Sequence, residues 1–423
     1  MFKKYHRTNG VTVIASPMPG MTSVSIGVWI GVGGRFEPAA QSGISHLIEH
    51  MLFKGTFTRT AKGLKEEVEG VGGSFNGFTS DEVTCYMVKV PYKYVEMGMD
   101  VLSDMVINAR FDKNDLAREK FVVCEEIKMY RDQPADHVMD LLLGLMWPGD
   151  PLGRPLTGNI TTVKRLTRKE IVGFKERNYH PGNMAVVVAG RVEPARVRDH
   201  VMRKFAVQKR KKRAAVKPPR VGQKDPRFRI SGGDTKQAHL AMGFRALDGN
   251  SRERFAMKIM NVILGGNMSS RLFEELREKY GLCYDISSTY KRHSDVGELQ
   301  IHAGVDNRKA ARSVSAILDE LKRMRDLGVT GDEMLRAKEF IKGQFLLAME
   351  GTSTRMLWLG DRLMTHRHIP ELSEVISKID SVTEAEIRSI CGKIFSACAV
   401  NLAIIGDIGE KDKRTIRKEL NKL

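Results

Sequence analysis

One pattern occurs twice in this chain and limits what it can fold into. Thr167-Arg168-Lys169-Glu170 and Thr383-Glu384-Ala385-Glu386 each read as a capping box opening an amphipathic helix. Each helix leads to an apolar strand that ends in Gly, over Asn183–Gly190 and Asn401–Gly406. The two copies lie 216 to 218 residues apart. Cap, helix, strand and Gly in one order at nearly one offset indicate an internal repeat. A chain of 423 residues then divides into two similar domains, each large enough for its own core. Between them, residues 201–230 hold 12 Lys or Arg against one Asp, and Pro218-Pro219 interrupts any helix. That composition predicts an exposed linker. The expected division is a domain over 1–205, a basic linker over 206–227 and a second domain over 228–423.

Alternating apolar residues predict strands near 11–15, 23–32, 73–79 and 84–90 in the first half. In the second half the same signal falls near 237–243, 283–290, 299–305 and 399–405. Helical periodicity marks 43–53, 64–70, 95–108, 115–130 and 136–146, then 252–264, 270–279, 310–327 and 332–349. Strands come in adjacent pairs followed by runs of helices. The expected class is therefore α+β, two similar domains each with a mostly antiparallel sheet flanked by helices.

The formal net charge of +18 points first toward nucleic acid. Its distribution argues against that. Residues 201–230 alone carry +11, whereas residues 51–150 carry 12 Lys or Arg against 17 Asp or Glu, a net −5. No basic surface interleaved with aromatics accompanies the charge, so no nucleic-acid partner is expected. No apolar run reaches the ~20 residues that span a bilayer, and the first residues lack a signal-peptide pattern. Five widely spaced Cys suggest neither a disulfide framework nor a Cys-based zinc site. The expectation is a cytoplasmic protein without a membrane partner.

His46-Leu47-Ile48-Glu49-His50 sits in a helical stretch. At about 100° per residue, positions 46, 49 and 50 share one face. Two imidazoles at i and i+4 suit a tetrahedral zinc, and the Glu between them can deprotonate a water. A catalytic zinc requires a third protein ligand. Glu119, Glu125 and Glu126 are the candidates on the helix that follows. Its apolar stripe runs through Leu116, Val123, Ile127 and Tyr130. Glu126 and Glu119 flank that stripe at about 280° and about 300°, while Glu125 faces away near ~180°. Glu126 is the better ligand candidate, and Glu119 suits a hydrogen bond to a ligand imidazole or to the bound water.

With His46–His50 continuing as Met51-Leu52-Phe53-Lys54-Gly55-Thr56, and Glu126 76 positions after His50, the chain resembles the pitrilysin/insulinase zinc peptidases in their mitochondrial-processing-peptidase-like branch. Asn76-Gly77-Phe78-Thr79 resembles the family's Asn-Ala-x-Thr, with Gly77 in place of Ala, and Pro151–Gly158 extends the likeness. The resemblance implies His46, His50 and Glu126 as ligands of one Zn2+ per chain and Glu49 as general base. Glu119 becomes the accessory catalytic Glu. Phe75, Asn76 and Gly77 become a strand that takes the substrate. In the second half Arg277 and Tyr284, within R-x₃-G-L-x-Y, match the family's pair of donors to the substrate carbonyl.

The implied activity is endopeptidase cleavage of short or unfolded peptides in a closed chamber, with basic peptides favoured by the acidic stretch. The implied assembly is a homodimer, with a heterodimer holding an inactive sister chain as the alternative. A catalytically inactive structural subunit of the same fold is the alternative function.

Overall fold

The computed structural model describes residues 2–423 apart from Arg7, Thr8, 207–210, Val221, Asp234 and Arg367. Its strands are β1 (Lys3–His6), β2 (Thr12–Pro17), β3 (Ser23–Ile30), β4 (Ser74–Thr79), β5 (Thr84–Pro91), β6 (Met184–Gly190), β7 (Arg227–Ser231), β8 (Ala238–Ala246), β9 (Cys283–Arg292), β10 (Gly297–Val305) and β11 (Asn401–Ile405). Helices of the first half are α1 (Ile44–Leu52), α2 (Ala61–Glu69), α3 (Val95–Asn108), α4 (Lys113–Asp132), α5 (Pro134–Met146), α6 (Ile160–Arg165), α7 (Arg168–Asn178) and α8 (Pro194–Lys204). The second half adds α9 (Arg254–Gly265), α10 (Ala310–Leu327), α11 (Gly331–Glu350), α12 (Thr352–Thr365), α13 (Leu372–Asp380), α14 (Glu384–Ile394) and α15 (Glu410–Glu419).

Two sheets form, and they repeat each other. The first runs β1-β2-β6-β3-β5-β4 and the second β7-β11-β8-β10-β9. In each, one pair is parallel, β2 with β6 and β7 with β11, and the remaining pairs are antiparallel. Without β1 the two sheets have the same strand order and pairing senses, β6 corresponding to β11 and the β4–β5 hairpin to β9–β10. Both capping boxes exist, Thr167 with Glu170 opening α7 and Thr383 with Glu386 opening α14. The α+β class with two similar sheet-and-helix domains is what the chain adopts.

The units, however, are not contiguous in sequence. One comprises Met1–Lys128, Arg154–Lys217 and Leu346–Ile369, the other Met129–Gly153, Pro218–Phe345 and Pro370–Leu423. This corrects the division at 205 and 228. The reason lies in the strands. β3 and β6 are buried along nearly their whole length, so both sheet faces need a cover. In the first unit Val24, Ile26, Val28 and Ile30 pack one face against α1, α3, α4 and α7. On the opposite face Trp29, Ile14 and Val187 meet Met356 and Leu359 of α12, a helix from the second half of the sequence. In the second unit the equivalent cover is α5, from the first half, whose Leu142 and Met146 meet Ala241, Ala403 and Ile405. Each sheet is thus completed by a helix from the other half of the chain.

The basic stretch is mostly exposed over residues 211–220, as expected of a linker, but it is tied down at two points. Residues 207–210, which hold its start, lie outside the described residues. Beyond them the Lys211 amine donates to the carbonyl of Glu176, and Arg213 donates to that of Met364. Those carbonyls belong to the last turns of α7 and α12, which have no intrahelical partner. Cations are favoured there by the helix dipole as well. Further on, Arg227 opens β7, which pairs with β11. Among the described residues no helix is long and apolar enough to cross a membrane.

Candidate metal centre

The centre lies wholly in the first unit, where α1 and α4 meet the edge strand β4. α1 starts abruptly at Gly43, whose φ of +91° only glycine adopts without strain. Its first turn is closed by the buried carboxylate of Glu37, which accepts the amides of Gly43 at 2.7 Å and Ser45 at 2.8 Å. Leu47, Ile48, Met51 and Leu52 bury one side of the helix, leaving His46, Glu49 and His50 on the other. α4 is fixed by buried Leu116, Val123 and Ile127, which sets Glu119 and Glu126 toward α1. Glu125 is exposed and pairs with Lys128.

Nε2 of His46 stands 3.7 Å from one oxygen of Glu126, and Nε2 of His50 stands 3.5 Å from the other. The three residues offer ligand atoms within 4.8 Å of one another, the one group of its kind among the described residues. Separations of 3.5 to 3.7 Å are too long for good hydrogen bonds. They are close to the edge of a tetrahedron with metal bonds of ~2.0–2.1 Å, roughly 3.4 Å. The donor set fits zinc in its chemistry, and both His–Glu126 separations suit it. Nδ1 of His50 lies 3.1 Å from Glu119, whose other oxygen pairs with Lys54 at 2.7 Å. This carboxylate fixes the ring so that Nε2 is presented toward Glu126.

Electrostatics point the same way. Burial and the neighbouring His50 hold His46 down at about 4, keeping it in the neutral form that ligates a metal. Burial would lower His50 as well, but its contacts with Glu119 and Glu126 outweigh that and push it up to about 9. The His50 contact leads in holding the Glu126 carboxyl below the usual range. Burial opposes the same effect at Glu119, where His50 and Lys54 prevail. Two carboxylates around the imidazoles create a demand for positive charge, which a divalent ion would meet. Glu49 differs from both. Burial raises its carboxyl above the usual range, with the hydrogen bond from Thr79 pulling the other way.

β4 is the outer strand of its sheet. Alternation puts residues 75, 77 and 79 on the face toward α1. The Phe75 ring packs against Phe53 at 5.2 Å, so its side chain is committed to the core and only its main chain is left for a partner. Gly77 lies against Glu49 and Phe53, and Thr79 donates to Glu49 Oε2 at 2.6 Å. Asn76 is exposed, and its side-chain oxygen accepts the Gly77 amide. In the second unit the Arg277 guanidinium lies 5.1 Å from the Tyr284 ring, and that ring is 78% exposed. Sequence reasoning singled out every member of the cluster but gave no role to Glu37, Lys54 or Thr79. Thr79 was the most accessible of these, since it shares the two-residue period of Phe75 and Gly77.

A paired-His helix, a carboxylate from a second helix and a half-buried Glu beside them define a site of the metallopeptidase class, built on a duplicated α+β scaffold. The chain belongs to the insulinase family, peptidase family M16. Residues 12–159 match the model of that family, and residues 165–341 match the model described as the peptidase M16 inactive domain. A relative from Bacillus subtilis, named the uncharacterized zinc protease YmxG, is 34% identical over 94% of this chain and 96% of its own. One from Streptomyces coelicolor, also named a zinc protease, is 33% identical over 96% of this chain and 90% of its own. The fold is shared with a protease from Helicobacter pylori, at TM-score 0.90 and 21% identity over 96% of this chain and 99% of that one. It is shared too with a chain of Complex III2 from Candida albicans, at TM-score 0.86 and 17% identity over 99% of both.

Proposed function

We propose that the protein is a zinc-dependent endopeptidase that cleaves short or unfolded peptides in a closed chamber. The observation that carries this is the placing of Glu49 beside His46, His50 and Glu126, whose ligand atoms lie within 4.8 Å of one another. Zinc, when bound, would polarise the scissile carbonyl and acidify a water. Glu49, with its raised pKa, accepts the proton of the attacking water and returns it to the leaving amine. A peptide pairs as an added strand with the open edge of β4, and main-chain pairing of that kind requires an extended chain. Arg277 and Tyr284 are, in this reading, donors to the oxyanion. The active assembly is a homodimer.

The test is metal analysis with peptide cleavage by the wild type and by Glu49→Gln. The expected result is about one zinc per chain and chelator-sensitive cleavage, with Glu49→Gln keeping the zinc and losing cleavage by ~10²-fold or more. Absence of zinc, or full activity in Glu49→Gln, overturns the proposal. A second reading is a catalytically inactive partner subunit of the same fold. It predicts no cleavage by the pure protein even when zinc is bound.

A further inference from the structure

We propose that Thr79 is a positioning residue for Glu49, so that the strand offered to the peptide also aims the base. This rests on the peptidase reading above and goes beyond it. The terminal torsion of a Glu side chain has a broad, nearly flat profile, so packing alone does not orient its carboxylate. A hydrogen bond does. Thr79 supplies a short one, its hydroxyl donating to Glu49 Oε2 at 2.6 Å, in the range of charge-assisted bonds. It is the hydrogen bond that this carboxylate accepts among the described residues.

The stem of Glu49 is located by the same strand. A methyl group built on Gly77 would stand 3.3 Å from Glu49 Cγ and 3.2 Å from the Phe53 ring, so the backbone of β4 passes directly over the base. Gly77 and Thr79, two residues apart, therefore hold the aliphatic and carboxylate ends of one side chain. β4 is hydrogen-bonded to β5 on one side only. Pairing with an extended peptide on the open side would satisfy its remaining main-chain groups and stiffen it. The hydroxyl of Thr79 would then be most firmly held when substrate is present. Ordering of the strand is in this way transmitted to the atom that takes the proton.

Thr79→Val keeps the shape of the side chain and removes its donor. The expected result is a kcat lower by ~10- to 100-fold, the scale of a misplaced catalytic group, with KM changed less than about threefold. Thr79→Ser, which restores the hydroxyl, recovers most of kcat. Zinc content stays at the wild-type value, and Thr79→Val added to Glu49→Gln leaves the peptide Kd of that inactive variant unchanged. A kcat for Thr79→Val within twofold of wild type overturns the proposal. So does a lost kcat accompanied by lost zinc or lost peptide binding, which would mark a merely structural role. A crystal structure of Thr79→Val with the Glu49 carboxylate still in place overturns it irrespective of any activity. Failure of the peptidase reading shows separately, as a wild type that cleaves nothing.

Discussion

Glu119 and Glu126 stand two turns apart on α4, and both reach His50, but at different atoms of its ring. Glu126 lies beside Nε2, where a metal would be held, and Glu119 beside Nδ1, where it can only orient the ring. The two carboxylates should therefore fail differently. Glu126→Gln is expected to lose stoichiometric zinc, because it removes a ligand charge. Glu119→Gln should retain zinc with an affinity lower by ~10–100-fold, the usual cost of removing a carboxylate that supports a ligand imidazole. Competition with a chromogenic chelator measures both, and equal affinities for the two variants would reverse the assignment. The helical wheel separates these residues from Glu125, since neighbours such as Glu125 and Glu126 point about 100° apart. Which of the remaining two faces Nε2 depended on the rotamers of His50, which the sequence does not contain.

At the scale of elements, α12 is the telling case. It lies far along the sequence from β3, yet its Met356 and Leu359 cover Trp29. Gly360 is where the approach is closest, and a Cβ there would overlap the Trp29 indole. Gly360→Ala should destabilise the protein by about 1–3 kcal/mol through overpacking. Gly343, in α11, has open space around its Cα and serves as the control. There the same change should stabilise by up to ~1 kcal/mol, through helix propensity alone. Urea midpoints of the two variants should move in opposite directions, and parallel shifts would contradict the packing of α12. Most strands and helices were legible from periodicity. β7 was not, because its alternation, Phe228 and Ile230 between Arg227, Arg229 and Ser231, is only five residues long and lies at the end of the basic stretch. It forms because β11 offers it a parallel edge.

At the scale of the whole molecule, charge is distributed by role. Lys211 and Arg213 cap helix ends in the first unit, and the part of that unit around the candidate ligand Glu126 is slightly acidic, with 11 Lys or Arg against 13 Asp or Glu over residues 51–128. A field of that sign concentrates cationic substrates at low ionic strength. Basic peptides should thus be cleaved several-fold faster at low salt than acidic peptides of equal length, with the difference shrinking as salt rises. Equal rates for charge-swapped peptides at low salt would remove electrostatics from substrate choice.

The repeat, the α+β class and the metal-ligand candidates were all readable from residue order, because each depends on short-range geometry. A capping box, a two-residue strand period and an i, i+4 His pair are local facts. The exchange of α5 and α12 and the hold of Thr79 on Glu49 were decided only by tertiary structure. An apolar helix face specifies that it must be covered, not by which sheet, since the hydrophobic effect carries no direction. A hydroxyl likewise names its partner only when folding brings one within reach. Local pattern thus determined the parts and the chemistry available, while packing determined which half completes which sheet and which hydroxyl reaches Glu49.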